Sequence, residues 1–203
     1  MKRIVVGITG ASGSVYGLRL IAELLRAQQD VSVLLSAAGR QVLAFETGLS
    51  LDPDPAAGQK QLRQHFGAAQ GLNYFAIDDF FAPIASGSSA PEALVICPCS
   101  MGTLGRIAAG LSENLLERAA DVALKERKQL LLVPRETPFN QIHLENMLRL
   151  AQAGAQILPA MPAFYQKPQS VEELVNFIIG KILDQLNVEH QLFPRWGDGY
   201  ATS

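Results

Sequence analysis

The chain has 203 residues, 48% of them hydrophobic, with a mean hydropathy of +0.14. That suffices for one domain over 1–203, and so high an apolar share calls for a sheet covered on both faces or for contact with other subunits. The net charge is −2 with lysine and arginine scattered, which gives no footprint for nucleic acid; no uncharged apolar run approaches the roughly 18 residues of a membrane span, and the stretch after Lys2-Arg3 is too short for a signal peptide, so the expected location is cytoplasmic.

The β-branched run Ile4–Thr9 reads as a strand. It turns through Gly10-Ala11-Ser12-Gly13 into a helix over Val15–Gln28, whose expected apolar face is Val15, Leu18 and Ile21-Ala22. With Gly7 included, the glycine spacing is G-x-x-G-x-x-G, not the dinucleotide G-x-G-x-x-G. It suits either a phosphate at a helix N-terminus or a tight strand–helix turn. A strand at Val31–Ser36 and a helix at Ala38–Thr47 follow. Leu51–Gly58, rich in proline and aspartate, reads as a surface loop before a short helix at Lys60–Phe66. Phe80–Pro91 cannot be regular structure. Further strands fall at Ala93–Cys97, Gln129–Pro134 and Ala155–Leu158, and further helices at Leu115–Arg127, Gln141–Ala153 and Val171–Leu186. In the last helix Ser170 and Glu173 spell a capping box, and Val171, Leu174, Val175, Ile178, Ile179, Ile182, Leu183 and Leu186 make an unbroken stripe. The aromatic, proline-containing tail after Asn187 is expected to pack against something. This alternation predicts an α/β fold, a parallel sheet with helices on both faces.

In such a sheet the ligand sits beyond the carboxyl ends of the strands. The residues there are Gly10–Gly13, Ser36, Pro98–Thr103, Pro134–Phe139 and Pro159–Tyr165. A dinucleotide site wants an acid after strand two; here stand Ser36-Ala37-Ala38, so a ligand with one phosphate and no adenosine, such as FMN, fits better. Ser36, Ser100 and Thr103 serve equally as ligand contacts or helix caps. Arg135-Glu136 is either a solvated edge or a phosphate fork beside a proton donor. Arg118, Asp121 and Lys125 share a helix face, by default a solvent face. Lys181 and Glu46 are by default surface charges, whereas Ser12 lies inside the glycine turn. Cys97 and Cys99 stand too close for an unstrained disulfide and lack partners for zinc, so they read as buried strand-end residues. The three histidines, His65, His143 and His190, fall in unrelated contexts and support no catalytic triad.

Several short motifs occur together in order. They are Gly10-Ala11-Ser12-Gly13, Ala85-Ser86-Gly87-Ser88-Ser89, Cys97-Pro98-Cys99-Ser100, Glu117 to Glu126, Val133-Pro134-Arg135-Glu136, His143 to Met147 and Pro194-Arg195-Trp196-Gly197. Over nearly the whole chain this set closely resembles the flavin prenyltransferases that serve ubiquinone-pathway decarboxylases. The resemblance implies a flavodoxin-like Rossmann fold, usually a homododecamer. It implies transfer of a dimethylallyl group from dimethylallyl monophosphate to reduced FMN, without a metal, closing a fourth ring between flavin N5 and C6. The product would be the prenylated FMN of a partner decarboxylase.

By the same resemblance Gly10, Ala11, Ser12, Ser36, Ser100, Met101, Gly102, Thr103 and Arg135 match FMN contacts. Ser86, Gly87, Arg118, Lys125, Arg135, Glu136, Tyr165 and Lys181 match the shell of the prenyl phosphate. Glu136 matches a proton donor, and Ser12 with Glu46 a proton relay. Trp196 and the tail over 189–203 are expected near the site, at a subunit boundary. Lys181 stands where the family often has arginine, keeping the charge without the planar fork. Phe80 stands where some relatives have tryptophan. Two rival readings are a flavin-dependent cysteine decarboxylase and a non-catalytic FMN-binding regulatory subunit. The first carries a Pro-x-Met-Asn-x-x-Met-Trp segment that Pro138–His143 does not match.

Overall fold

Every strand pair among the described residues is parallel. β1 (Arg3–Ile8) lies inside the sheet, flanked by β2 (Asp30–Leu35) and then β3 (Leu72–Tyr74) on one side. On the other side come β4 (Ala93–Cys99), β5 (Gln129–Pro134) and β6 (Gln156–Ile157). The computed structural model describes residues 1–68 and 70–195. The result is the expected flavodoxin-like Rossmann fold. Its strand order reverses between β1 and β4, so a crevice opens at their carboxyl ends.

The connecting helices are α1 (Ser14–Arg26), α2 (Ala37–Thr47), α3 (Pro55–Phe66), α4 (Met101–Ala108), α5 (Leu115–Lys125), α6 (Gln141–Gln152) and α7 (Val171–Gln185). Strand side chains alternate between the two faces of the sheet. Ile4, Val6, Ile8, Val31, Val33, Val95 and Leu131 join one core with α1, α2, α3 and α7. Val5, Leu34, Leu94, Ile96, Leu130 and Leu132 join the other with α4, α5 and α6. The alternation breaks once. A register irregularity between Ile96 and Cys99 sends Cys97 into the first core and Cys99 into the second. Both thiols are fully buried, and burial pushes their pKa up, that of Cys99 to about 12. Neither is a thiolate nucleophile near neutral pH.

Five details depart from the sequence reading. First, the buried face of α1 is Ser14, Gly17, Leu20, Ile21 and Leu24, while Val15 is 45% exposed. Small residues face the sheet because the helix lies close to it; a Cβ on Gly17 would stand 2.5 Å from the Cys97 carbonyl oxygen. Second, the supposed loop over Leu51–Gly58 contains the start of α3. Asp54 caps it, accepting from the Ala57 N–H at 2.9 Å, and Pro55 takes the first helical position, where its missing N–H costs nothing. Third, the short buried strand β3 carries too few residues to show a period.

Fourth, a helix absent from the sequence reading, α4, begins inside Pro98–Thr103. Fifth, the capping box of α7 is half formed. Ser170 Oγ accepts from the Glu173 N–H at 3.2 Å, but the Glu173 carboxylate accepts from Gln169 instead of Ser170. Val171, placed in the apolar stripe, is 74% exposed. The tail folds back on α7. Phe193 stacks near Phe177 and covers Gly180, while His190 and Arg195 both reach Asp184, at 3.1 and 2.7 Å.

Candidate active site

Three turns meet at the β1/β4 switch point: Gly10–Gly13 after β1, Ser36–Ala38 opening α2, and Pro98–Thr103 opening α4. Small residues let them meet. A Cβ on Gly10 would lie 2.6 Å from Ala38 Cβ, and one on Gly39 would strike the Ile8 carbonyl. Gly13 has φ 108°, a left-handed conformation that favours glycine. Beneath them Thr9 is completely buried. Its hydroxyl donates to the Pro98 carbonyl at 2.8 Å and accepts from the Ser100 N–H at 2.7 Å.

The structure resolves the two readings of the glycine turn. The N–H groups that open α1 already hold an anion, the carboxylate of Glu46. It accepts from Gly13 at 3.0 and 3.1 Å and from Ser14 at 2.8 Å. Burial pushes the Glu46 pKa up, but the hydrogen bonds from Ser12, Ser14 and Gly13 together outweigh it and hold the carboxyl below its ordinary range. A helix N-terminus and its dipole favour this ionised form. The α1 terminus is thus already engaged by a carboxylate, while the neighbouring turns are not. Ser12 is exposed beside Glu46, and Arg135 Nε donates to the Ser12 carbonyl at 3.0 Å. Glu136 follows Arg135, its carboxylate accepting from the Thr137 N–H at 3.1 Å. Ser12, Glu46, Arg135 and Glu136 are thus brought to one edge.

Both serines act as caps. Ser36 Oγ accepts from the Gly39 N–H at 3.0 Å, and Ser100 Oγ accepts from the Thr103 N–H at 3.3 Å. Capping does not exclude a ligand, since each hydroxyl keeps further hydrogen-bonding capacity. Thr103, by contrast, is buried and engaged with Ser100 and Arg106. Arg106 in turn donates to Glu117 at 2.5 Å, a carboxylate with no exposed side-chain surface. Burial pushes Glu117 up; Arg106, the Glu113 N–H and Asn114 outweigh it, and its pKa lies below the ordinary value. Met101 is buried, and exposed Gly102 presents backbone at the crevice.

The other predicted residues lie elsewhere. Arg118 Nε donates to the Ala85 carbonyl at 3.0 Å, its guanidinium pairs with Asp121 at 2.7 Å, and Gly87 packs under Lys125 and Glu126. Ser86, Gly87, Arg118 and Lys125 therefore form one cluster. Lys125 ends α5 just before β5 begins, and Ser89 is tied to Arg3 at the start of β1. This places Lys125 and Gly87 at the amino edge of the sheet, about 20 Å from the glycine turn, because a strand rises about 3.3 Å per residue and β4 has 7 residues.

Tyr165 and Lys181 form a third group. Tyr165 meets the Phe177 ring edge-on at 5.9 Å, and Phe177 and Lys181 line a groove with Leu158, Pro159 and Met161. Phe80 is 44% exposed. Trp196 lies outside the described residues. Sequence reasoning missed Thr9 and Tyr16. Tyr16 covers Gly13, and its pKa is raised by burial and by Cys97, against the pull of Arg135. Only the position of Thr9 at a strand end could have singled it out.

The flavoprotein family model matches residues 1–183. The flavin prenyltransferase UbiX of Pseudomonas aeruginosa is 53% identical over 203 residues, covering 100% of this chain and 97% of that relative. The chain belongs to the flavoprotein family, among the flavin prenyltransferases. The solved structure of AnUbiX (PadA1) in complex with FMN and dimethylallyl pyrophosphate is 37% identical, with a TM-score of 0.85, covering 97% of each chain. A dodecameric FMN-dependent UbiX-like decarboxylase from Escherichia coli O157:H7 is also 37% identical, with a TM-score of 0.83, covering 96% of this chain and 98% of its own. As in the sequence reading, no helix among the described residues is long and apolar enough to cross a membrane.

Proposed function

We propose that this flavin prenyltransferase transfers a dimethylallyl group from dimethylallyl monophosphate to reduced FMN and supplies the product to a partner decarboxylase. The observation that carries the reading is the convergence at the switch point: Arg135 and Glu46 both bind the backbone of the same glycine turn, and no acid follows β2. The crevice fits a flavin mononucleotide. Close backbone approach at Gly10 and Gly39, the exposed Gly102 and the opening turns of α2 and α4 make a polar cradle without an adenosine-ribose acceptor.

When bound, reduced FMN supplies the nucleophile for the allyl group. The protein's residues do the rest. Gly10, Ala11, Ser12, Ser36, the Ser100–Thr103 turn and Arg135 hold the cofactor. Ser86, Gly87, Arg118, Lys125, Arg135, Tyr165 and Lys181 hold the phosphate, whose departure is eased by positive charge placed where negative charge grows. Glu136 gives the departing phosphate a proton. Ser12, held beside ionised Glu46, takes the proton released when the new ring closes; Glu46 is the acceptor behind it.

Assembly is part of the reading. One chain sets its Lys125 cluster at the opposite edge of the sheet from its glycine turn, so the phosphate shell is completed between subunits. The exposed apolar side chains support this: Phe45 is 91% exposed, Phe81 101%, Ile142 65% and Phe164 70%, more than a solitary subunit leaves in water. A homododecamer, as in the Escherichia coli relative, is the expected form. Incubating the protein with reduced FMN and dimethylallyl monophosphate, and separately with the pyrophosphate, tests the activity by flavin mass spectrometry. A flavin mass raised by the prenyl group is expected with the monophosphate. Unchanged flavin with either donor would overturn the reading and return the choice to the cysteine decarboxylase or the regulatory subunit.

A further inference from the structure

We infer that Thr9 is a positioning residue for the flavin, the keystone that fixes three turns of the site against one another without touching the ligand. The inference rests on the FMN reading above. Thr9 is fully buried, so it has no surface to offer a ligand. Its hydroxyl proton is committed within the protein, and its oxygen is already engaged there. It donates to the Pro98 carbonyl at 2.8 Å and accepts from the Ser100 N–H at 2.7 Å, and the Thr9 N–H donates to the same Pro98 carbonyl at 3.2 Å. The β1 turn is thereby clamped to the turn that opens α4. On its other side the backbone of Thr9 is the floor for α2, since a Cβ on Gly39 would lie 3.0 Å from Thr9 Cα.

The location gives the clamp its purpose. Regular strand pairing between β1 and β4 ends at Gly7 and Ile96. Beyond it the backbone would lose its ladder where the crevice opens, and Thr9 carries the cross-strand bonding onward by one more step. Ser100, whose N–H donates this bond to Thr9, also caps α4 with its hydroxyl. Loss of the Thr9 hydroxyl leaves the partly buried Ser100 N–H and part of the buried Pro98 carbonyl's bonding unmet, so the turn must shift to find water. A shift of under an ångström in a packed turn is enough to misplace a bound ring.

The test uses Thr9→Val, which keeps the shape and removes the hydroxyl, and Thr9→Ser, which keeps the hydroxyl and removes the methyl. FMN affinity by fluorescence quenching and the visible circular dichroism of bound FMN are read alongside the thermal melting of the flavin-free protein. Thr9→Val is expected to weaken FMN binding roughly ten- to hundredfold, the consequence of one buried unmet group. It should also change the flavin's visible dichroism at saturation, with the KM for the prenyl donor unmoved. Thr9→Ser should restore affinity and spectrum to wild type. A Thr9→Val protein with lowered melting temperature but wild-type affinity and spectrum would overturn the inference. So would a Thr9→Ser protein that loses FMN, an arm that decides the matter even where Thr9→Val does not fold. If the wild-type chain binds no FMN, the functional reading itself fails, which is a different result from equal binding by all three proteins.

Discussion

If the site is shared between chains, two inactive proteins should make an active one. Arg135→Ala disables the glycine-turn edge, and Lys125→Ala disables the cluster at the amino edge. Each alone should lower prenyl transfer by roughly 10²-fold or more, the usual scale for removing a group that stabilises developing charge. Within one chain the two residues belong to edges about 20 Å apart, given the 7 residues of β4, far beyond the span of one small substrate. In a mixed oligomer, each site draws one lobe from one chain and the second from its neighbour. With equal, random mixing, both lobes are intact in about a quarter of the sites, as symmetric heterologous contacts dictate. Co-expressing the two variants with different tags, purifying the doubly tagged oligomer and counting prenylated flavin by mass spectrometry is the assay. Recovery to about a quarter of wild-type activity is expected. Activity that stays at the level of the single variants in a verified mixed oligomer would refute the shared site.

Glu136→Gln should keep FMN affinity and slow prenyl transfer roughly 10²-fold, and near wild-type turnover at neutral pH would remove Glu136 from the mechanism. Glu117→Gln deprives Arg106 of its buried partner; because Arg106 is 41% exposed, the cost should be about 2 kcal/mol, below the range for a fully buried pair, as read by urea unfolding. Glu117 has its pKa lowered in the folded state, so its contribution is present above the ordinary carboxylate value and lost as pH falls through the folded value. Stability of the wild type should therefore drop toward acid more steeply than that of Glu117→Gln, and parallel pH profiles would contradict this. Deleting 189–203 removes Phe193 from Phe177 and Arg195 from Asp184. Prenyl transfer should suffer more than FMN binding and the oligomer should shrink on gel filtration; a fully active monomer would show that neither tail nor assembly matters to the site.

What the sequence made legible follows from the range of each signal. The strands of the sheet interior are nearly continuous apolar runs, and β5 is read to its last residue as Gln129–Pro134. Long helices with a wide apolar stripe are equally plain, whereas the eight-residue α4, opening directly from the Ser100 turn, escapes the sequence reading. Three-residue β3 has no period, and the start of α3 hides because Asp54 and Pro55 are turn residues and also good helix openers. The strand-end residues at the crevice are legible because topology alone puts them there. Glu46 is the instructive case. Locally it is an unremarkable carboxylate near the end of α2, and Gly13 looks ready for phosphate. Only the fold brings the two together across 33 positions, and the carboxylate then takes the anion's place. The same limit governs Ser86, Arg118 and Lys125. Nothing in their spacing places them near a flavin, and one chain sets Lys125, at the end of α5, at the far edge. The role proposed for them rests on the family resemblance, and the exposed apolar surface supports a second copy that brings the two edges into one site.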